Sequence, residues 1–167
     1  INEPIKKDLT KSILHLDSAV DELRRVAHNL MPDLLLKYGL EEALKEYAHR
    51  MSHAQLDVDV QFLSYTQSLN SERELLVYRI IQELVNNAIK HAQASQIIIQ
   101  FVEDDFHYTI TVEDDGKGFD VEKTTLSQTA GLHNIQTRIE FLKGNLNIHS
   151  DENLGSSFEI QFPKNNT

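Results

Sequence analysis

The sequence contains no cysteine, which excludes a disulfide framework and any thiol chemistry. No apolar run approaches the roughly 18 residues that a membrane-spanning helix needs, and no signal peptide is visible. Basic residues are scarce, because 16 Lys and Arg stand against 26 Asp and Glu and leave a formal net charge of −10. A basic face for binding nucleic acid is therefore disfavoured. The eight histidines form no cluster with the spacing of metal ligands.

The first part of the chain carries a regular apolar stripe. Its members, spaced three or four residues apart, are Ile5, Leu9, Ile13, Leu16, Val20, Leu23, Val26 and Leu30. This spacing is close to a heptad seam that ends at Pro32, and it favours packing against a partner helix. A helix folded back on its own domain is the alternative. The 167 residues, 40% of them apolar, suffice for one domain with this appendage.

A second helical segment is predicted from Ser71 to about Ala92. It opens with Ser71-Glu72-Arg73-Glu74, which has the pattern of a capping box. A four-residue apolar repeat marks the face that we expect to be buried. The members of this repeat are Leu76, Ile80, Leu84 and Ala88.

Glu83, Asn87 and Lys90 fall on a neighbouring stripe of the same helix. An acid, an amide oxygen and a cation on one stripe suit a magnesium-bound polyphosphate, because magnesium takes oxygen ligands and keeps several waters. Glu83 is one turn from Asn87, close enough to polarise one of those waters. Taken alone, this stripe is explained better by a solvated helix face with an ordinary charge pair.

A second block follows a predicted strand. Residues 106–112 alternate between apolar and polar and run into Asp114-Asp115-Gly116-Lys117-Gly118. A carboxylate at a strand end can accept a hydrogen bond from an amino group such as the adenine N6. The two glycines let the backbone approach a flat ligand closely. The alternative is a plain Asp-Gly turn, which is common.

Two further glycine-containing segments complete the pattern. Gly131 opens a helical run to Leu142, and the free N–H groups of a helix N-terminus favour phosphate. The polar stretch between Phe119 and Ala130 is predicted to be a mobile lid. Gly155-Ser156-Ser157-Phe158 then leads into a last alternating strand.

The order of these blocks resembles the ATP-binding domain of bacterial sensor histidine kinases, within the wider ATPase group that includes gyrase-like topoisomerases. The segment from Glu83 to His91 is similar to the N box of that family, and Asp114 to Gly118 to its Asp-x-Gly-x-Gly box. The segment from Thr129 to Leu132 is similar to its second glycine box, and Gly155 to Phe158 to its third. The set of blocks is specific, although no single member is.

The resemblance implies a role for each matching residue. Asp114 would bind adenine, Asn87 would ligate magnesium, and Glu83 would position or deprotonate a water in the metal shell. The other residues implied to bind ATP are Lys90, His91, Gly116, Gly118, Thr129, Gly131, Leu132 and Ser156. Thr129 departs from the pattern, because the second glycine box usually begins with glycine.

The N-terminal third narrows the resemblance to one subfamily. The segments Arg24 to Pro32 and Tyr38 to Leu44 are similar to the end of the dimerisation domain in kinases paired with NarL-type response regulators. Residues 1–32 would then be the second helix of a truncated dimerisation domain, and residues 33–167 the catalytic ATP-binding domain. The chain begins at Ile1 rather than Met, which favours a fragment of a longer protein. The resemblance implies a cytoplasmic domain, and it is compatible with a parent anchored upstream in the inner membrane.

The phosphoacceptor site of the family is a histidine followed directly by an acid, and no histidine here has that neighbour. The expected function is donation of the ATP γ-phosphoryl group to a histidine on the absent first dimerisation helix, and from there to a response-regulator Asp. The intact protein is expected to be a homodimer. Two alternatives remain: a serine kinase of the anti-sigma-factor type, and a non-catalytic nucleotide-sensing or dimerisation module.

The predicted fold class is α+β. Helices are predicted at 40–54, 71–92 and 131–142, and strands at 58–63, 97–102, 107–112, 146–148 and 157–162. Several strands with a few long helices between them indicate a two-layer α/β sandwich with the helices on one face, preceded here by the long amphipathic helix. Residues 103–105 are predicted to close a hairpin. The resemblance adds that the sheet is mixed.

Overall fold

The computed structural model describes residues 33–66, 69–121 and 130–164. Its elements are α1 (Asp33–Met51), β1 (Asp57–Leu63), α2 (Ser71–Asn87), a π-helical turn (Ala88–Ala92), β2 (Gln96–Glu103), β3 (His107–Asp114), α3 (Ala130–Phe141), β4 (Asn145–Asp151) and β5 (Gly155–Pro163). The predicted helix within residues 1–32, Thr129 and most of the predicted lid lie outside the described residues. None of the described helices is long and apolar enough to cross a membrane.

The strands form one five-stranded sheet with the order β1-β2-β3-β5-β4. β1 and β2 run parallel, because α2 crosses over between them, whereas the other neighbouring pairs are antiparallel. The predicted mixed sheet is therefore confirmed. So is the hairpin between β2 and β3, where the Asp104 carboxylate accepts the backbone N–H groups of Phe106 and His107, each at 2.7 Å.

One face of the sheet and the three helices enclose a single core. Alternate residues of β2 and β3 are buried, and so are the inward faces of α2 and α3. Side chains less than 2% exposed in this core include Leu44, Ile80, Ile97, Ile99, Phe101, Ile110, Ile135 and Ile160. The opposite sheet face carries polar residues such as Thr109 and Glu159. This arrangement is the predicted two-layer sandwich with helices on one face.

The sequence predicts a helix from Leu40, and in the structure Leu40 follows the break at which the second of two helical stretches begins; the first stretch was missed. α1 begins at Asp33 and consists of two helical stretches joined at Gly39, whose φ of 79° and ψ of −177° are not helical. Glycine adopts a positive φ without steric cost, so it fits this break. The first stretch is part of the fold because Leu35 is buried in the core.

The predicted capping box at the start of α2, with Ser71 as its first residue, is wrong. Asn70 is the N-cap, and its Oδ1 accepts the backbone N–H of Arg73 at 2.9 Å. Glu74 turns instead toward the break in α1, where its Oε1 accepts the backbone N–H of Leu40 at 3.3 Å. Glu74 is only 7% exposed, because it packs against α1. Its carboxylate therefore accepts a backbone N–H of α1 rather than one of its own helix. The carboxylate thereby caps the second stretch of α1.

Candidate functional site

The end of α2 carries the predicted phosphate-side residues. Glu83 and Asn87 are half-buried on its last turns, and Lys90 and His91 are exposed on the π-helical turn that follows. The N–H of Ala88, where the π-helical turn begins, is shared between the carbonyl oxygens of Leu84 and Val85. π-Helical turns often occur at functional sites. The sequence carried no signal for this one, since its residues also suit an α-helix.

Asp114 ends β3 at the middle of the sheet. Its Oδ1 accepts the backbone N–H of Gly116 at 3.0 Å. Register places it opposite Ser156 on β5, whose hydroxyl also bonds to the carboxylate. Burial raises the pKa of Asp114, and the bonds from Gly116 and Ser156 oppose that rise. The carboxylate is thus held in a fixed orientation by groups on both sides.

Gly116 joins this loop to the end of the π-helical turn. A Cβ at Gly116 would lie 2.5 Å from both the Cβ and the carbonyl oxygen of Ala92, so no side chain fits between them. The next residue, Lys117, donates its backbone N–H to the same carbonyl oxygen at 2.9 Å. Gly116 therefore does not line the cavity. It packs the Asp114–Gly118 loop closely against the end of the π-helical turn.

The neighbouring acid, Asp115, has a separate structural role. Its Oδ1 accepts the backbone N–H groups of Ser95 and Gln96 at 2.7 and 2.8 Å, and its Oδ2 bonds to the Ser95 hydroxyl at 2.5 Å. These bonds lower the pKa of Asp115, with the Ser95 hydroxyl as the largest cause. Asp115 fastens the start of β2 to the loop and does not line the cavity.

Gly131, in the first turn of α3, packs against the end of α2. A Cβ there would lie 2.5 Å from Glu83 Oε1 and 3.7 Å from Asn87 Nδ2. The N-terminus of α3 consequently faces the acid and the amide of α2. The following residue, Leu132, is only 8% exposed and anchors this turn in the core.

One cavity of about 430 Å³ gathers these groups. Its lining includes nine of the predicted residues, namely Glu83, Asn87, Lys90, His91, Asp114, Gly118, Gly131, Leu132 and Ser156. The sequence interpretation missed five others, which are Ala88, Ala92, Lys117, Phe119 and Phe158. Their signals were present, because Phe119 directly follows the second block and Phe158 closes the last one. The rings of Phe119 and Phe158 lie 6.2 Å apart between centroids and form an apolar wall.

The lining suits a ligand with a flat polar base and a charged group. The volume is in the range typical of small-molecule sites. Among the described residues, no three His, Asp or Glu side chains cluster as metal ligands. The oxygen donors of Glu83 and Asn87, which line the cavity, are of the kind that magnesium prefers. The absence of a side chain at Gly131 makes room for the Glu83 carboxylate, whose Oε1 would lie 2.5 Å from a Cβ there.

The comparisons with known proteins agree with this geometry. Residues 72–166 match the model of the family described as histidine kinase-, DNA gyrase B- and HSP90-like ATPases. The chain belongs to this ATPase family. It is 33% identical over 161 residues to the sensor histidine kinase ComP of Bacillus subtilis, and 30% identical over 166 residues to the histidine-protein kinase/phosphatase DegS of Brevibacillus brevis. The match covers 95% and 98% of this chain, but only 21% of ComP and 42% of DegS.

Solved structures show the same fold. The blue-light activated histidine kinase EL346 of Erythrobacter litoralis matches with a TM-score of 0.63 and 21% identity, over 87% of this chain and 49% of that one. The histidine kinase AdeS of Acinetobacter baumannii matches with a TM-score of 0.59 and 21% identity, over 99% of this chain and 87% of that one. The predicted resemblance to the ATP-binding domain of sensor histidine kinases is confirmed.

Proposed function

We propose that this domain binds magnesium-ATP and donates the γ-phosphoryl group to a histidine of a dimerisation helix, from which it passes to a response-regulator Asp. The observation that carries the proposal is that residues from all four blocks line one cavity. Phosphoryl transfer depends mainly on positioning and charge neutralisation. The cavity therefore needs to hold a donor, while the acceptor is brought to it.

Asp114 is proposed to recognise adenine. Its carboxylate lines the cavity and already accepts two bonds, from Gly116 and Ser156, which leave lone pairs for an exocyclic amino group. The rings of Phe119 and Phe158 offer apolar surface for the base on the same wall of the cavity. This combination favours a base that donates a hydrogen bond at its edge.

The end of α2 is proposed to hold the phosphates. Asn87 would supply an oxygen to magnesium, and Glu83 would orient or deprotonate a water of the metal shell. Lys90 and His91 line the cavity one turn further along, where they would neutralise phosphate charge. Bound magnesium would neutralise developing charge on the phosphates. The N-terminus of α3, beside Glu83, adds favourable N–H groups.

The partners are proposed from the family. The names of ComP and DegS identify those proteins as histidine kinases, and this chain spans only part of each. The subfamily resemblance of residues 24–32 and 38–44 favours a NarL-type response regulator as partner. We propose a cytoplasmic domain of a parent that dimerises through the helix predicted within residues 1–32.

The experiment is incubation of the chain with γ-labelled ATP and magnesium, with and without a separately supplied dimerisation domain that carries its own acceptor histidine. We expect ATP binding, no phosphohistidine on this chain, and slow acid-labile labelling of the added domain. Transfer in trans should be slow because the effective concentration of a tethered acceptor is lost. Asn87→Ala serves as the control for dependence on the proposed site.

Each other outcome has a defined meaning. His15 and His28 are the two histidines within residues 1–32. Acid-labile label on this chain, abolished by His15→Ala or His28→Ala, would show that the acceptor lies within it. Acid-stable label on a serine of a partner protein would favour the serine kinase. ATP binding without transfer to the supplied helix would favour the nucleotide-sensing module.

A further inference from the structure

The turn between β4 and β5 supports the nucleotide loop from behind. The backbone N–H of Asn153 donates to the carbonyl oxygen of Lys117 at 2.6 Å. Gly118 has a φ of 61°, and any Cβ there would collide with the carbonyl oxygen of Asp151. The loop that carries the Asp-x-Gly-x-Gly box therefore rests directly on this turn, with no space for side chains between them.

Ser150 lies at the centre of this contact. Its Oγ accepts the backbone N–H of Phe119 at 2.9 Å, and it lies 3.0 Å from the carbonyl oxygen of Gly155 and 3.2 Å from Ser156 Oγ. Its hydroxyl proton can be donated to either of these two oxygens. Ser156, which is 7% exposed, in turn bonds to the carboxylate of Asp114.

Ser150 thus connects two residues of the cavity wall without lining that wall itself. One hydroxyl holds Phe119 through its backbone and Asp114 through Ser156. When the Ser150 hydroxyl donates to Ser156, the bonds run in one direction from Ser150 through Ser156 to Asp114, and bonds in such a chain strengthen one another. A shift of this hydroxyl would move both Phe119 and Asp114, and so change the distance between the apolar wall and the carboxylate.

We propose that Ser150 is a positioning residue for base recognition. It fixes Asp114 and Phe119 relative to each other, so that the cavity selects a purine with a 6-amino group over one without it. This inference rests on the proposed function, in which Asp114 accepts that amino group. A merely structural role for Ser150 would change stability but would leave base selectivity unaltered.

The test compares the dissociation constants of ATP and of purine riboside triphosphate, which lacks the 6-amino group, by titration calorimetry with magnesium. Ser150→Ala should reduce the preference for ATP about two- to tenfold, the range expected for one hydrogen bond. Ser150→Thr keeps the hydroxyl and should restore most of the preference. Ser150→Cys keeps the volume with a weak hydrogen-bonding group, and it provides the same measurement if the alanine variant does not fold.

Ser52→Ala is the matched control. Ser52 is also half-buried, and its Oγ bonds only to backbone groups away from the cavity. These are the Ala48 carbonyl and the Val58 N–H, each at 3.0 Å, and the Val58 carbonyl at 3.4 Å. Its removal should lower stability while the preference stays at the wild-type value. In the background of Asp114→Asn, adding Ser150→Ala should change the preference little, because both act through one chain of bonds.

Equal loss of affinity for both nucleotides in Ser150→Ala, or no loss for either, would overturn the inference while leaving the proposed function intact. A wild-type protein that binds both nucleotides equally would overturn the assignment of Asp114 to the amino group, and this inference with it. A wild-type protein that binds neither would refute the proposed function itself. A reduced preference that Ser150→Thr restores would support the inference.

Discussion

Asp114 and Asp115 are neighbouring acids with opposite surroundings, and this contrast gives the sharpest test of the site. Asp114 faces the cavity between Gly116 and Ser156, whereas Asp115 is exposed and bonded to the start of β2. Asp114→Asn should weaken ATP binding far more than Asp115→Asn. In both variants the remaining Oδ1 can still accept backbone N–H groups, so the fold should be preserved.

The expected magnitude follows from the bond that Asp114 would make to the adenine amino group. A hydrogen bond to a charged group is worth about 1.5–3 kcal/mol, which corresponds to roughly ten- to 150-fold in affinity. Asparagine can also turn its own amino group toward that of adenine, which adds to the loss. Asp115→Asn removes only the Oδ2 acceptor of the Ser95 hydroxyl at an exposed position, so affinity should change little.

The pH dependence provides a second measurement on the same pair. The ionised carboxylate of Asp114 is the form that accepts from the amino group, and burial raises its pKa. As the pH falls through this raised pKa, the protein should lose affinity for ATP at a higher pH than an ordinary aspartate would cause. Asp114→Asn should lack this component, and Asp115→Asn should keep it. Calorimetric titration showing equal losses for the two variants would refute the assignment.

Three further predictions concern the metal, the loop and the helix joint. Asn87→Ala should leave metal-free ATP binding largely intact and remove most of the gain on adding magnesium, and titrations with and without the ion would measure this; a surviving gain would exclude Asn87 as the ligand. Gly116→Ala should weaken ATP binding and lower the free energy of unfolding by about 1–3 kcal/mol in denaturant titrations, since its Cβ would overlap Ala92. Burial raises the pKa of Glu74, so the stability linked to its protonation is lost as the pH rises. Glutamine stays uncharged at every pH, and Glu74→Gln should therefore raise Tm more near neutral pH than in acid. Glu74→Ala removes the acceptor of the Leu40 N–H, so it should lower Tm at both neutral and acid pH. The expected loss in the free energy of unfolding is about 1 kcal/mol.

Strand positions could be predicted from sequence because their signal is local. In β3 the apolar residues Tyr108, Ile110 and Val112 alternate with polar ones, and the structure buries that same alternate set. The blocks of the site were also visible, since each is a short run with its own residue types. Nine of the predicted residues line one cavity for this reason.

Contacts between distant residues could not be predicted in the same way. Arg73, within the segment predicted to be a capping box, is only 7% exposed. Its guanidinium lies 5.0 Å from the ring centroid of Phe162 and donates to the carbonyl oxygens of Pro163 and Lys164. These partners are about ninety positions away in sequence. Helix propensity and capping patterns carry no information about such a partner, so tertiary packing decided the outcome.

The structure gives a physical reason for the glycines at positions 116, 131 and 155 of the sequence blocks. Gly116 and Gly131 do not have a positive φ, so backbone conformation does not require glycine at either position. Each is required instead by close approach, Gly116 to Ala92 and Gly131 to the carboxylate of Glu83. Gly155 combines both requirements, with a φ of 84° and contact with the carbonyl oxygen of Asp114.

Each of these glycines therefore belongs to one block and closely approaches a residue within another block or, for Gly116, directly after it. A side chain at any of them would separate two blocks and open the cavity where the ligand groups must converge. The order of the boxes along the chain is informative because the fold brings them into contact in pairs. For this reason a set of weak local patterns identified one site, although none of them did so alone.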